Sequence, residues 1–330
     1  MDFKDFDLAS FTPDFEEIER KRQETLEWTR TTLHRGDAFV DRIARGDPIT
    51  FNTLSLPAWL KIAELAAIDF IPAREIHSMP TQIIQDFDPG EGSGPYEIEE
   101  QKILSALRKG EMLRMEQVAP AEIKHERSSG QIMGNGTFYS DHFERDILNL
   151  FEDRYYTTLL DLAEDQVRAY ARPIITPRMI NGKFNDEAGK WPEEFRVYIR
   201  DGHIKGVSNY YPQVVMTPQE HGNVMAEAVR AAQDMVNFMI EKKITCDNAT
   251  YRMPEGETFS CTLDFLIRED GKLLFLEGGP EGGRGAHPCC FLGPDGFKSD
   301  LEGAVFSEDG EVYPLEHLLA GRLEETPAPT

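Results

Sequence analysis

Two carboxylates, Asp264 and Glu277, have the spacing that most clearly suggests chemistry in this sequence. They flank two apolar runs that meet at Asp270-Gly271, a dipeptide typical of two-residue hairpin turns. Such a turn pairs Leu266 with Phe275 and places Asp264 directly opposite Glu277, with Cβ atoms about 4.5–5.5 Å apart. Two carboxylates at that separation need a cation, a shared proton or open water between them.

Both faces of this predicted hairpin are apolar, which favours a strand pair inside a buried sheet. Open water is then a poor explanation for the facing carboxylates, and Mg²⁺, which prefers oxygen ligands, explains them better. The alternative is a hairpin whose acidic ends lie at the solvated rim of the sheet. The residues alone leave both interpretations open.

A second hairpin is predicted over residues 194–211, with its turn at Asp201-Gly202. Its register pairs Tyr198 with Lys205 and puts polar side chains on one face: Glu194, Arg196, Tyr198, Arg200, His203 and Lys205. A face with this many cations binds anions if another element covers it. If nothing covers it, it is an ordinary wet surface.

The composition predicts a globular protein with room for two or three lobes, since 40% of its 330 residues are apolar and 10% aromatic. The net charge of −24 disfavours binding to nucleic acid or anionic membranes. Four cysteines are too few for a disulfide framework, and neither a signal peptide nor a membrane span is evident. We therefore expect a cytoplasmic protein.

Apolar periodicity and capping residues predict the remaining elements. Helices are expected at 14–45, 56–70, 96–109, 141–162, 217–243 and 315–323, strands at 111–118 and 166–175, and a polar, mobile loop at 181–191. The helix that starts after Thr217 has a cap signature, with Pro218 in its first turn and Glu220 three residues after the cap.

The order of these parts resembles the ATP-grasp superfamily. A strand with a cation is followed by a basic loop, by the hairpin EFRVYIRDGHIKGVS, by a long helix and then by LDFLIREDGKLLFLEGG. Within that superfamily the chain is most similar to the group of cell-division-cycle protein 123 and its relatives, over about residues 111–283. The resemblance implies an α+β fold in which two lobes with antiparallel sheets hold ATP between them.

That resemblance also implies domain bounds. A mostly helical N-terminal region at 1–110 is expected to form part of a substrate pocket. The N-terminal lobe would span 111–165 and the C-terminal lobe 166–320, followed by a flexible tail at 321–330.

The resemblance assigns roles to particular residues. Asp264 corresponds to the first Mg²⁺ ligand and Glu277 to a ligand that bridges two Mg²⁺ ions. Arg196, Lys124 and Arg114 correspond to the cations that hold the phosphates of ATP. These assignments have structural alternatives: Arg196 as the partner of Asp264 or of Glu194, Lys124 in a solvated loop, and Arg114 in a buried ion pair.

Further nucleotide contacts are expected from Arg172 and Ile174, at the position of the adenine-binding hinge, and from Glu194 and Lys205 on the polar hairpin. Arg284 and His287, in the glycine-rich loop after the metal hairpin, are candidates to hold a substrate carboxylate or to assist proton transfer. The alternative for His287 is a structural role in that loop.

One departure from the family pattern lies beside the bridging ligand. Many ATP-grasp enzymes have Glu-x-Asn there, and the Asn completes a second metal site, whereas this chain has Glu277-Gly278-Gly279. A second Mg²⁺ would need another ligand, such as Glu281, or would be absent.

Three functions follow as expectations. The first is an ADP-forming ligase that joins a carboxylate to an amine or thiol through an acyl phosphate, with ATP and Mg²⁺ as cofactors. The second is a non-enzymatic ATP-binding assembly chaperone or adaptor with a protein partner. The third is a protein-interaction module whose nucleotide site has decayed. We expect neither nucleic acid nor membrane among its partners.

Overall fold

The computed structural model describes residues 47–80, 94–116, 166–184, 187–211, 214–247, 259–280, 302–307 and 311–323, with short pieces at 20, 42, 45, 82–83, 292–293 and 296–297. Over these residues the fold is α+β, with antiparallel and mixed sheets. None of the helices described there is both long and apolar enough to cross a membrane.

The elements are numbered in chain order. The helices are α1 (Leu56–Leu65), α2 (Gly94–Ala106), α3 (Pro218–Glu241) and α4 (Leu315–Leu319). The strands are β1 (Ile49–Asn52), β2 (Arg74–Pro80), β3 (Glu111–Met115), β4 (Gln166–Pro173), β5 (Met179–Phe184), β6 (Glu187–Pro192), β7 (Glu194–Arg200), β8 (His203–Asn209), β9 (Ile244–Asp247), β10 (Cys261–Ile267), β11 (Leu273–Pro280), β12 (Leu292–Gly293), β13 (Gly296–Phe297), β14 (Gly303–Val305) and β15 (Val312–Tyr313).

A six-stranded sheet in the order β11-β10-β7-β8-β14-β15 carries most of the candidate site. Its neighbouring strands are antiparallel except β8 and β14, which are parallel. The sheet is therefore mixed, which the sequence analysis did not predict. Strand β11 lies at one edge, and residues 69–71 hydrogen-bond to the backbone of Phe275 along that edge.

Helix α3 covers the apolar face of this sheet. It begins as predicted, because Oγ1 of Thr217 accepts a hydrogen bond from the backbone N of Glu220 at 3.1 Å. Its buried stripe, which includes Met235 and Met239, shares one hydrophobic core with Val197 and other residues of β7 and β10. The opposite, polar face of β7 and β10 is left for the site.

The hairpin of β7 and β8 turns at Asp201-Gly202, which confirms the predicted turn. Both residues have positive φ, +52° and +70°, as a type I′ turn requires. The predicted register is wrong beyond the turn, because a bulge makes Tyr198 pair with Gly206 instead of Lys205. A bulge of this kind is not visible in a pattern of polar and apolar residues.

The hairpin of β10 and β11 places Asp264 opposite Glu277, as predicted, but by a different route. The turn is a three-residue loop closed by Arg268 and Lys272, with Gly271 alone at positive φ, so Leu266 pairs with Leu274 instead of Phe275. A bulge between Phe275 and Glu277 restores the predicted register. The two one-residue deviations cancel at the carboxylates.

A second, three-stranded antiparallel sheet has the order β2-β4-β3. Strands β3 and β4 confirm the predicted strands at 111–118 and 166–175, with slightly earlier ends. Strand β2 was not predicted, and it comes from the region that was expected to be mostly helical. The sheet therefore combines strands from all three predicted regions of the chain.

The predicted loop at 181–191 is wrong. Residues 179–192 form the antiparallel hairpin of β5 and β6, in which Gly182 pairs with Gly189. The helices predicted at 56–70, 96–109, 217–243 and 315–323 are present with shorter ranges. The predicted helix at 141–162 lies outside the described residues, as does nearly all of the one at 14–45.

Candidate functional site

Asp264 and Glu277 form the centre of the candidate site. They are direct partners on neighbouring strands, β10 and β11, and Asp264 is only 2% exposed. The register that brings them together depends on the bulge beside Leu276. Two adjacent carboxylates this deep in the protein need compensating positive charge.

Arg196 supplies that charge to Asp264. The two residues are cross-strand partners on β7 and β10, and the guanidinium donates two parallel hydrogen bonds, Nε to Oδ1 at 2.7 Å and Nη2 to Oδ2 at 2.6 Å. Cζ of Arg196 also lies 4.6 Å from the ring centroid of Tyr210. One of the alternatives drawn from the sequence, Arg196 as the partner of Asp264, is therefore present.

Arg114 compensates Glu277 from the other sheet. Its Nη2 donates to Oε2 of Glu277 at 2.9 Å, and the two side chains are 8% and 15% exposed. Its Nη1 donates to the backbone carbonyl of Met115 at 3.1 Å. Since Arg114 is on β3 and Glu277 on β11, this ion pair joins the three-stranded sheet to the edge of the six-stranded sheet.

Arg172 makes a second connection between the same sheets. Its Nη2 donates to the backbone carbonyls of Ile71 and Leu276, both at 2.8 Å, and its side chain is buried. Ile174, just after β4, donates its backbone N–H to the carbonyl of Gly110 at 2.8 Å. Arg172 thus holds the residue that precedes Glu277.

Trp59 packs against the strand on the other side of Glu277. A Cβ atom added to Gly278 would overlap the indole ring, so only glycine permits this close approach. The indole is fully buried, and Nε1 donates to the carbonyl of Thr53 at 2.7 Å. The sequence analysis did not identify Trp59 as the residue that fixes the backbone beside the predicted metal ligand, because no local pattern connects it with Gly278.

Thr262 occupies the space next to Gly279. The two residues are cross-strand partners, and a Cβ atom on Gly279 would lie 3.2 Å from Oγ1 of Thr262. A buried threonine hydroxyl is therefore beside Gly279. The alternation of β10 could have identified Thr262, because it is two residues from Asp264 and on the same face.

Glu116 is a further buried carboxyl that the sequence analysis did not single out. Burial raises its pKa, although Arg168 Nη1 donates to Oε2 and Ser55 Oγ donates to Oε1 at 3.3 Å. It follows Arg114 by two residues, so the two side chains leave the chain on the same side. No motif marks it, because its partners come from distant segments.

The other predicted site residues are placed as follows. Glu194 is buried on β7, two residues before Arg196. Lys205 lies at the bulge of β8 and pairs with Glu302 at 2.7 Å, with both side chains substantially exposed. Lys124, Arg284 and His287 lie outside the described residues, as does Glu281.

Asp264 and Glu277 suit Mg²⁺ that is also bound by a phosphate group, because they supply only part of its ligands. Among the described residues, no group of three His, Cys, Asp or Glu side chains could hold a metal ion. Mg²⁺ is commonly bound by one or two carboxylates together with substrate phosphates and water. Asp264 and Glu277 match that pattern, so the residues present suit a metal that arrives with a phosphate ligand.

Comparisons with known proteins give similarities at low identity. No family model and no curated protein matches the chain. Among solved structures it is similar to Cdc123 from Schizosaccharomyces pombe, with 9% identity over 70% of this chain and 87% of that chain, at a TM-score of 0.41. It is also similar to the D-alanine-D-alanine ligase from Coxiella burnetii, with 12% identity over 77% of this chain and 58% of that chain, at 0.32.

A third similar structure is N5-carboxyaminoimidazole synthetase from Staphylococcus aureus complexed with ADP. It shares 10% identity over 69% of this chain and 43% of that chain, at a TM-score of 0.29. The chain spans about half the length of the Staphylococcus and Coxiella proteins that it matches.

Proposed function

We propose that the protein binds Mg-ATP where the three-stranded sheet meets the polar face of the six-stranded sheet. The observation that carries this proposal is the pair of adjacent arginine–carboxylate contacts, Arg196 with Asp264 and Arg114 with Glu277. Guanidinium groups suit phosphate oxygens and carboxylates suit Mg²⁺. The side chains that suit a phosphate and those that suit a metal thus lie side by side in a protein of net charge −24.

Each residue has a part in this proposal. Asp264 and Glu277 hold the metal, and Arg196 and Arg114 hold phosphate oxygens. When bound, Mg²⁺ neutralises phosphate charge and supports transfer of the terminal phosphoryl group. Trp59 and Arg172 fix the backbone on both sides of Glu277, so that its carboxylate is held in place before the ligand binds.

The reaction we propose is ADP-forming ligation of a carboxylate to an amine. A substrate carboxylate oxygen attacks the terminal phosphorus of ATP, the bond to the ADP oxygen breaks, and an acyl phosphate forms. The amine nitrogen then attacks the acyl carbon and phosphate leaves, with loss of a proton from nitrogen. The protein provides orientation and charge compensation and no nucleophile, with Lys124, Arg284 and His287 as further contacts to ATP and substrate.

A second candidate function is an ATP-binding assembly factor that does not turn ATP over. Gly279 favours it, because glycine has no side chain that could complete a second metal site beside Glu277. A site with one metal would bind ATP, yet it would lack a second cation to stabilise charge as the phosphoryl group moves.

Product analysis separates these two functions. Protein, ATP and Mg²⁺ are incubated with mixtures of small carboxylates and amines, and ADP and new amide masses are measured. A ligase forms ADP only when acid and amine are both present, and the Asp264→Asn variant forms none. Binding of ATP without ADP in any mixture supports the assembly factor, and absence of ATP binding contradicts both.

A further inference from the structure

The Arg114–Glu277 ion pair connects two sheets through charges that a ligand can separate. Nη2 of Arg114 lies 2.9 Å from Oε2 of Glu277, and both side chains are largely buried. Among the described residues, Nε of Arg114 has no hydrogen-bond partner. Its guanidinium is therefore held at the site with a donor still available.

The second connection between these sheets is of a different kind. Arg172 donates to two backbone carbonyls, those of Ile71 and Leu276. These acceptors are uncharged backbone carbonyls, so a bound cation attracts them less than it attracts the carboxylate of Glu277. Arg172 therefore keeps the sheets together whatever happens to the ion pair beside it.

The ion pair disfavours binding of a metal cation without a polyphosphate, and of a polyphosphate without a metal cation. A cation at Glu277 would lie beside the positive guanidinium of Arg114, and an anion at Arg114 would lie beside the negative carboxylate of Glu277. A metal and a polyphosphate that bind together remove both penalties. Glu277 then exchanges the guanidinium for the metal, and Arg114 exchanges the carboxylate for the phosphate. Asp264 and Arg196 present the same pairing one strand further into the sheet.

We propose that the Arg114–Glu277 pair is a charge-exchange latch, a contact that closes the site when it is empty and opens only for a metal–polyphosphate complex. The proposal rests on the Mg-ATP site proposed above and adds its regulation. Opening the latch releases β3 from the edge of β11 while Arg172 stays bound. It also makes metal and nucleotide binding strongly and reciprocally dependent on each other.

The latch predicts effects of opposite sign in one variant. In Glu277→Gln, Arg114 loses its charged partner and the metal loses a ligand. Affinity for ATP in excess EDTA should rise by roughly fivefold or more, and affinity for Mg-ATP should fall by roughly fivefold or more. Both are measured by calorimetry on the full chain. A matched control is Glu111→Gln, on the same strand as Arg114, which breaks the 2.8 Å pair with Arg74 of β2 and should change neither affinity.

A second variant tests the latch from its other side. Arg114→Gln removes the guanidinium next to Glu277, so affinity for Mg²⁺ alone should rise while affinity for ATP in EDTA falls. Far-UV circular dichroism spectra that match the wild type at the temperature of the titrations show that these changes do not come from loss of structure.

The outcomes distinguish this inference from the function on which it rests. If the wild type binds Mg-ATP and Glu277→Gln weakens both forms of ATP together, the latch is wrong and the proposed site stands. If the wild type binds no Mg-ATP, both are wrong. Opposite changes in the two affinities support the latch, because an ion pair with a purely structural role would not produce them.

Discussion

Asp264 is buried in the sheet together with the one side chain that neutralises it most directly, Arg196. Because the pair makes two parallel hydrogen bonds in a buried site, removal of one partner leaves an uncompensated charge. Arg196→Met should lower the free energy of unfolding by about 3–5 kcal/mol, as measured by urea denaturation. The double variant Arg196→Met/Asp264→Leu is the control and should recover most of that loss. A single variant as stable as the wild type would show that the pair is not buried as described.

Gly278 is the residue that lets Trp59 approach the strand beside Glu277. Gly278→Ala places a methyl group against the indole and should cost about 1–3 kcal/mol, with weaker Mg-ATP binding because Glu277 shifts. Its neighbour provides a matched control, since Gly279→Ala meets only the Thr262 hydroxyl at 3.2 Å and should cost less. Thermal unfolding and calorimetry measure both effects. Equal effects of the two substitutions would contradict this role of Trp59.

The sequence predicted that Asp264 faces Glu277 and offered Arg196 as a partner of Asp264, but it did not predict the partner of Glu277. The prediction assumed a two-residue turn, and it held because a longer turn and a bulge shift the register in opposite directions. The partner of Glu277 could not be predicted, because Arg114 is 163 residues away and no local pattern encodes that contact. The role of Arg196 as a site residue could be predicted, because it lies on the polar face of a predicted hairpin.

At the scale of elements, helix α2 is attached to β2 through Glu99. The pKa of Glu99 is lowered by hydrogen bonds from Lys102 and from His77. A lowered carboxyl pKa means that the folded state favours the ionised form, so this stabilisation is present above the ordinary glutamate pKa of about 4.3 and is lost as the pH falls through the folded value. Acid should therefore loosen α2.

The matching experiment compares the pH dependence of unfolding in two variants. Glu99→Gln should flatten the loss of stability between about pH 5 and pH 3, because it removes one group whose protonation opposes folding. Glu64→Gln, on the exposed face of α1, is the control and should change the slope less. Identical slopes for the wild type and Glu99→Gln would contradict the assignment.

Strand β2 and the hairpin of β5 and β6 are among the elements that the sequence analysis did not predict, and both escaped it for the same reason. Strand β2 has the sequence REIHSMP, and the hairpin of β5 and β6 contains two glycines and several polar residues. Neither alternates clearly between polar and apolar, since pairing to neighbours and not burial of one face defines them. By contrast α3, with a cap and a long apolar stripe, was predicted almost to its ends.

For the whole molecule, the net charge is −24, so a local concentration of positive side chains contrasts with the rest of the protein. Three buried arginines, Arg114, Arg172 and Arg196, gather at the junction of two sheets that belong to distant parts of the chain. The order of strands along the sequence suggested this junction through the ATP-grasp resemblance. The contacts that form it depend on tertiary structure and emerged only with the fold.

The central claim is that this junction binds Mg-ATP through Asp264 and its neighbours. The most direct measurement is calorimetric titration of ATP with Mg²⁺ into the wild type, into Asp264→Asn, and into Asp270→Asn on the exposed turn of the same hairpin. We predict Mg²⁺-dependent binding to the wild type and to Asp270→Asn, and a loss of about tenfold or more in Asp264→Asn. Equal binding to all three proteins, or no binding to the wild type, would contradict the account.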